Sequence, residues 1–204
     1  MGTYTYRPAA GHGLPHNPFN AIVGPRPIGW IGTLGADGRR NLAPYSFFNA
    51  FNYTPPLVGF SSTEWKHTAR NCAATGEFTW NLVSADLAVA MNATSTPADV
   101  DEFERAGLAA VASELVAPPR VADARVTFEC KVTQQIELVG MDGAKSGAVL
   151  TMGEVIVVHI DDALLVEGVY DTAAGRPMLR GGGPTAYFGI DAATTEVHLR
   201  RPRD

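Results

Sequence analysis

Residues 26–71 read RPIGWIGTLGADGRRNLAPYSFFNAFNYTPPLVGFSSTEWKHTARN. Three apolar runs, Ile28–Leu34, Leu42–Phe48 and Leu57–Ser61, have the length and composition of strands. Pro25 and Pro27 hold the approach to the first extended, because the residue before a proline is pushed out of the helical region. Ala36-Asp37-Gly38 is a tight-turn signal that makes the first two runs a hairpin. Pro44 marks its strand as an edge or a bulge. Pro55-Pro56 resets the chain, and after the third run a helix begins near Lys66, with Thr63 as its expected cap and Gly76 as its stop. Hydroxyls, amides and aromatics gather at the strand ends, with Lys66, Thr68 and Arg70 on the helix. Such groups suit a flat, anionic ligand: a phosphate is stabilised by N–H groups, hydroxyls and cations at a helix N-terminus.

Outside this block the pattern stays mainly β. Phe78–Val83 is strand-like, and Asp86–Met91 and Asp99–Ala106 read as short helices around a turn at 94–97. Val126–Leu138 alternates Val126, Phe128, Cys130 and Val132 with Thr127, Glu129, Lys131 and Thr133, a strand half-buried with period two. Val149–Ile160 is a second long strand, broken at Gly153. Residues 175–187 read as a loop. The expected organisation is an irregular arm over 1–18, one domain over 19–190 and an exposed tail over 191–204 carrying Arg200, Arg201 and Arg203. Many strands, hairpin turns and a few inserted short helices suggest a closed, Greek-key-like antiparallel barrel.

A chain of 204 residues suffices for one self-supporting core. Its net charge of -5 argues against nucleic acid as the main partner, since affinity there comes from Lys and Arg. No uncharged apolar run reaches membrane-span length, and the start of the chain lacks the pattern of a signal peptide, so a cytoplasmic protein without a membrane partner is expected. Cys72 and Cys130 form no motif with metal spacing and read as two buried thiols. His12 and His16 lie in the arm without a second ligand cluster, so no metal site is expected. His159, among apolar neighbours, reads as a satisfied core histidine. Trp30 and Trp65 read as core or interface.

The ordered series RPIGWIGTLGADGRRNLAPYSFFNAF, PPLVGFS, KHTARN, GEFTWNLV, FECKV, MGEVIVVHI and RGGGPTAYF resembles the flavin reductase-like proteins, which are FMN-binding split barrels that usually form homodimers. The resemblance covers about residues 17–187. It implies FMN as cofactor and NADH or NADPH as reductant, with electrons passing to flavin, an oxygenase or another acceptor. By it, Ser61, Ser62, Lys66, Thr68 and Asn71 hold the phosphate. Ser46 and Asn49 hydrogen-bond the ring, Tyr45 and Phe47 border it, and Thr33 approaches it, with Phe48 assigned to the core. Arg180, the glycines at 181–183 and Tyr187 resemble a C-terminal segment that covers the flavin. His67 stands where the family often has an acidic residue. No catalytic acid or base is expected of the chain, because the chemistry is the cofactor's. Two other readings stay open: an FMN electron carrier reduced by a protein, and a small-molecule-binding barrel without redox activity.

Overall fold

The computed structural model describes residues 2–199; Arg200, Arg201 and Arg203, expected in an exposed tail, lie outside them. Its strands are β1 (Arg26–Pro27), β2 (Gly29–Leu34), β3 (Arg40–Tyr45), β4 (Phe48–Tyr53), β5 (Pro56–Ser62), β6 (Glu77–Asn81), β7 (Ala110–Val111), β8 (Arg120–Val121), β9 (Val126–Val139), β10 (Lys145–Ile160), β11 (Leu165–Val166), β12 (Val169–Tyr170), β13 (Met178–Gly182) and β14 (Ala186–Gly189). The α-helices are α1 (Phe19–Ile22), α2 (His67–Thr75), α3 (Ala88–Ala93), α4 (Glu102–Ala106) and α5 (Ala192–Thr195).

Seven strands form one sheet in the order β3-β2-β6-β9-β10-β5-β4, and every pairing in it is antiparallel. Its two edge strands are consecutive in sequence, joined only by Ser46 and Phe47. Laid flat, six strand spacings would separate those edges by about 29 Å. Three Cα steps from Tyr45 to Phe48 span at most about 11 Å. The sheet therefore curls on itself, bringing the Tyr45 ring of β3 to within 4.8 Å of the Phe60 ring of β5, centroid to centroid. This is a split barrel, mainly β with short inserted helices, as the sequence led us to expect.

Strand β2 is buried on both faces, which explains its unbroken apolar run. Ile31 joins a core with Phe48, Phe60, Phe78, Trp80 and Cys130. Its neighbours Trp30 and Ile28 face a second core with Leu42, Met91, Phe103 and Val121, under α3 and α4. Successive side chains on a strand point to opposite faces, so one strand serves both. Trp30 is fully buried, and its indole N–H donates to Thr94 Oγ1 at 3.0 Å. Trp65, by contrast, is 40% exposed. Cys72 and Cys130 are free and buried; burial pushes the Cys72 thiol up to about 12 and Cys130 up further.

Several expectations are corrected. The second run is not one strand through Phe48: it ends at Tyr45, bends at Ser46–Phe47 and resumes as β4, an edge strand the sequence reading missed. The bend cancels the alternation, so Tyr45 and Phe48 both pack on the first core while Phe47 is exposed. Gly153 does not break β10; the strand continues with a shift of register between Met152 and Gly153. A side chain at Gly153 would collide with the Phe78 ring, which is why glycine stands there. On β9 the polar residues Thr127 and Glu129 are buried, not outward. The segment read as a loop over 175–187 contains β13, and β14 begins within it; the two form a hairpin that pairs with β1.

Glu129 is fully buried and accepts from the N–H groups of Glu114 (2.8 Å) and Leu115 (2.7 Å). His159 Nε2 lies 2.8 Å from the same carboxylate. His159 is thus satisfied as expected, by a buried acid instead of apolar neighbours. Burial raises the Glu129 pKa, but these partners outweigh it and hold the carboxylate below its ordinary value.

Candidate functional site

The site is organised by α2, nine residues that follow β5. Gly76 ends the helix in the left-handed conformation, at φ 72°, as its position in the sequence suggested. Its start differs from expectation. Thr63 does not cap it; Lys66 occupies the N-cap position, and no side chain caps the helix there among the described residues. The first-turn N–H groups, which a helix leaves without internal partners, therefore have no side-chain cap among the described residues.

The two faces of α2 differ sharply. Thr68, Ala69 and Cys72 are buried. Lys66, His67 and Arg70 lie on the opposite, exposed side, as spacings of three and four residues dictate.

On the inward face, four side chains form a closed polar network. Asn41 Nδ2 donates to Thr33 Oγ1 (3.0 Å) and to Thr68 Oγ1 (2.9 Å). Asn71 Nδ2 donates to Thr33 Oγ1 at 3.1 Å. From β9, Gln135 Nε2 donates to the Ala69 carbonyl and to Thr151 Oγ1, both at 3.0 Å. The ring of Tyr45 packs against Phe60 with centroids 4.8 Å apart. Burial lifts its phenol to about 12, opposed in part by the Thr68 and Ser62 hydroxyls beside it. Ser62, 1% exposed, donates to the Glu64 carbonyl at 2.6 Å.

On the outward face lies a cavity of about 430 Å³. Ala43, Pro44 and Tyr45 of β3 form one wall, and Thr94, Ser95, Thr96 and Pro97 another. Glu64, Lys66, His67 and Arg70 complete it. Lys66 Nζ lies 3.6 Å from Glu64 Oε1 with both side chains more than half exposed, a pair of little energetic weight. No carboxylate pairs with Arg70 among the described residues. His67 Nε2 is 3.8 Å from Asp99 Oδ1, which Arg39 also holds at 2.6 Å. The cavity thus offers Arg70 without a carboxylate partner among the described residues, Lys66 in a weak exposed ion pair and an uncapped helix start on one side, and hydroxyls with a tyrosine ring on the other.

The residues expected at the site divide accordingly. Tyr45 and Lys66 line the cavity. Thr33, Thr68 and Asn71 come together behind it, Asn71 donating to Thr33 and Asn41 bridging Thr33 to Thr68. Ser61 is half-buried and Ser62 is turned to the chain's own backbone. Ser46 presents its carbonyl to Arg26 Nε at 2.9 Å. Phe47 lies under the same guanidinium, 5.5 Å from its centroid. Asn49 is exposed and accepts from the Ala50 N–H. Arg180 binds four carbonyls of its own hairpin and covers the Tyr187 ring at 4.9 Å. The sequence reading put Arg70 on the helix among the groups suited to an anionic ligand without assigning it to the phosphate, and it omitted Asn41 and the wall at 94–97. The spacing of Arg70 from Lys66, four residues on a helix, was a usable signal for the first; nothing local pointed to the others.

The flavin reductase like domain model matches residues 24–178, three quarters of the chain. The chain belongs to that family. It is similar to an uncharacterized protein of Aquifex aeolicus, 36% identical over 170 residues covering 79% of this chain and 83% of that one. It is also similar to the uncharacterized protein YwrF of Bacillus subtilis, 37% identical over 163 residues covering 77% of each. Among solved structures it is similar to nitrilotriacetate monooxygenase component B from Bacillus cereus, with TM-score 0.85, 25% identity, and coverage of 98% of this chain and 100% of that one. A second is the Pseudomonas fluorescens 2-nitrobenzoate 2-nitroreductase NbaA, with TM-score 0.78, 28% identity, and coverage of 90% and 88%. Family membership thus places the α2 cavity in a fold associated with flavin redox chemistry.

Proposed function

We propose that this chain is an FMN-dependent oxidoreductase, reduced by NADH or NADPH and delivering electrons to free flavin, an oxygenase or another acceptor. The observation that carries the reading is the outward face of α2, where Lys66, His67 and Arg70 surround an uncapped helix start opposite the Tyr45 wall. That donor set fits a flavin phosphate: a dianion is stabilised by a helix N-terminus and by fixed cations. Lys66 and Arg70 would hold the phosphate, with Ser95 and Thr96 within the same cavity. Tyr45, Ser46 and Phe47 would border the ring, whose neighbours must be flat and mostly apolar. Bound flavin supplies acceptance of a hydride and its onward release as electrons. The protein supplies orientation and dry walls. The Tyr45 phenol, protonated at neutral pH even before burial raises its pKa, offers an O–H and no charge.

A homodimer working in the cytoplasm belongs to the same reading. Strand β4 is an open edge with Phe51 and Tyr53 exposed, and an unpaired edge of this kind favours coverage by a second copy. The test is the visible spectrum of the purified protein with added FMN, before and after anaerobic NADH and then NADPH. A perturbed flavin spectrum that bleaches with either nucleotide supports the enzyme. Bound flavin that neither nucleotide bleaches points to a carrier, and no flavin binding overturns the proposal.

A further inference from the structure

Strands β1, β13 and β14 make a small sheet beside the barrel, and in it Arg26 is the direct partner of Arg180. Like charges directly opposed in an antiparallel pair are destabilising. Four arginines elsewhere, Arg39, Arg40, Arg125 and Arg176, meet carboxylates. Neither Arg26 nor Arg180 has such a partner among the described residues. Burial, and then repulsion from Arg180, lowers the Arg26 pKa.

Backbone carbonyls hold both guanidiniums in place. Arg26 Nε donates to the Ser46 carbonyl, and Nη1 to those of Asn20 and Val23. Arg180 Nη1 donates to the carbonyls of Gly182 (2.9 Å) and Ala186 (2.7 Å), and Nη2 to those of Gly183 and Pro184. Carbonyl dipoles anchor a guanidinium without neutralising it. Arg26 Nη2 and Arg180 Nε keep N–H groups with no acceptor among the described residues. Each cation also lies over a ring that is more than a third exposed, Phe47 and Tyr187 respectively. The result is a double cation flanked by aromatic surface and held by the Ser46 carbonyl, next in sequence to Tyr45 of the cavity wall.

We propose that Arg26 and Arg180 together bind an oxyanion, a carboxylate or a phosphate, carried by the small molecule that meets the flavin. This rests on the reading of Tyr45–Ser46 as the flavin's surroundings. A guanidinium presents planar, permanently charged donors suited to either group. An aromatic acid as electron acceptor and the diphosphate of a nicotinamide nucleotide share this chemistry.

Calorimetric titration of the wild-type chain without flavin, using benzoate, neutral benzamide and inorganic pyrophosphate, separates the two sources. Saturable binding of benzoate supports an aromatic acid, of pyrophosphate a nucleotide, and of both a site open to either. Arg180→Gln should weaken the bound anion about tenfold, with partial recovery in Arg180→Lys. Because Arg180 also organises its hairpin, phenylglyoxal labelling of the wild-type arginines, read by mass spectrometry, gives a test that needs no variant. The bound anion should slow labelling at Arg26 and Arg180 together. Silence from both anions, equal binding of benzamide, or labelling at both arginines unaffected by a bound anion would overturn the inference. FMN titration of the same sample keeps the two claims apart. FMN bound with both anions silent removes this site alone; an anion protecting both arginines with FMN silent removes the flavin reading and leaves the oxyanion site standing.

Discussion

The two faces of α2 are made from neighbouring residues and have opposite uses. Thr68 and Asn71 turn inward and are satisfied by Asn41 and Thr33 at 2.9–3.1 Å. Lys66, His67 and Arg70 are exposed and line the cavity, Arg70 with no carboxylate partner among the described residues. A residue type alone does not tell these uses apart. Thr68 is as suitable a phosphate ligand as Lys66 in composition, yet its hydroxyl is 1% exposed and already engaged. What distinguishes them is packing: Lys66, at the N-cap, keeps its side chain more than half exposed, whereas Thr68 is buried against Asn41.

If the inward face is a positioning device, breaking it should show first in stability. Asn41→Leu removes two hydrogen bonds and leaves buried hydroxyls at Thr33 and Thr68, so urea unfolding should show a loss of about 2–3 kcal/mol. A smaller change sharpens the contrast: Thr68→Val, which keeps shape and deletes one acceptor, should lower stability by about 1 kcal/mol. Unaltered unfolding in both variants would mean that the network does not hold α2.

A fully satisfied buried acid elsewhere checks the same logic by pH. The folded-state pKa of Glu129 is depressed, so its contribution is present above the ordinary carboxylate value and is lost as pH falls through the folded one. Protonation should release the Glu114 and Leu115 amides, and their hydrogen exchange, corrected for the intrinsic rate, should accelerate in acid before global unfolding. The smallest signal belongs to Tyr45. Its pKa is raised to about 12, so stability from the neutral phenol is present below about pH 10 and declines as pH climbs through the folded value. Absorbance titration should show exposed tyrosines ionising first and Tyr45 lagging.

Much of this was legible in the sequence. The β2–β3 hairpin announced itself through Asp37-Gly38, and Gly38 takes the positive φ of 82° that such a turn needs. The two long strands showed in their length and alternation, and the ordered motifs carried the barrel. Three features were not legible, for physical reasons. Strand β4 is an edge whose side chains are mostly exposed, so FNAFNY lacks the apolar face that marks a half-buried strand. Strand β13 pairs through LRGG, and glycines carry no side-chain signal of burial. Asn41 engages partners 8 and 27 residues away, a relation fixed only when α2 packs on β2 and β3. Within the candidate site, Lys66 and Tyr45, expected around one ligand, line the same cavity. Thr68 and Asn71 were expected at the phosphate but bond to Asn41 and Thr33 instead, and Arg70, named on the helix, was given no role.

The central claim is that the outward face of α2 grips a phosphate. It is tested most directly by comparing FMN with riboflavin, which lacks that phosphate, in the wild type and in Lys66→Ala/Arg70→Ala. The wild type should bind FMN at least about tenfold more tightly, about 1.4 kcal/mol, and the double variant should lose that preference while unfolding within about 0.5 kcal/mol of the wild type. Equal affinity for the two flavins in the wild type, or a preference that survives both substitutions, would contradict it.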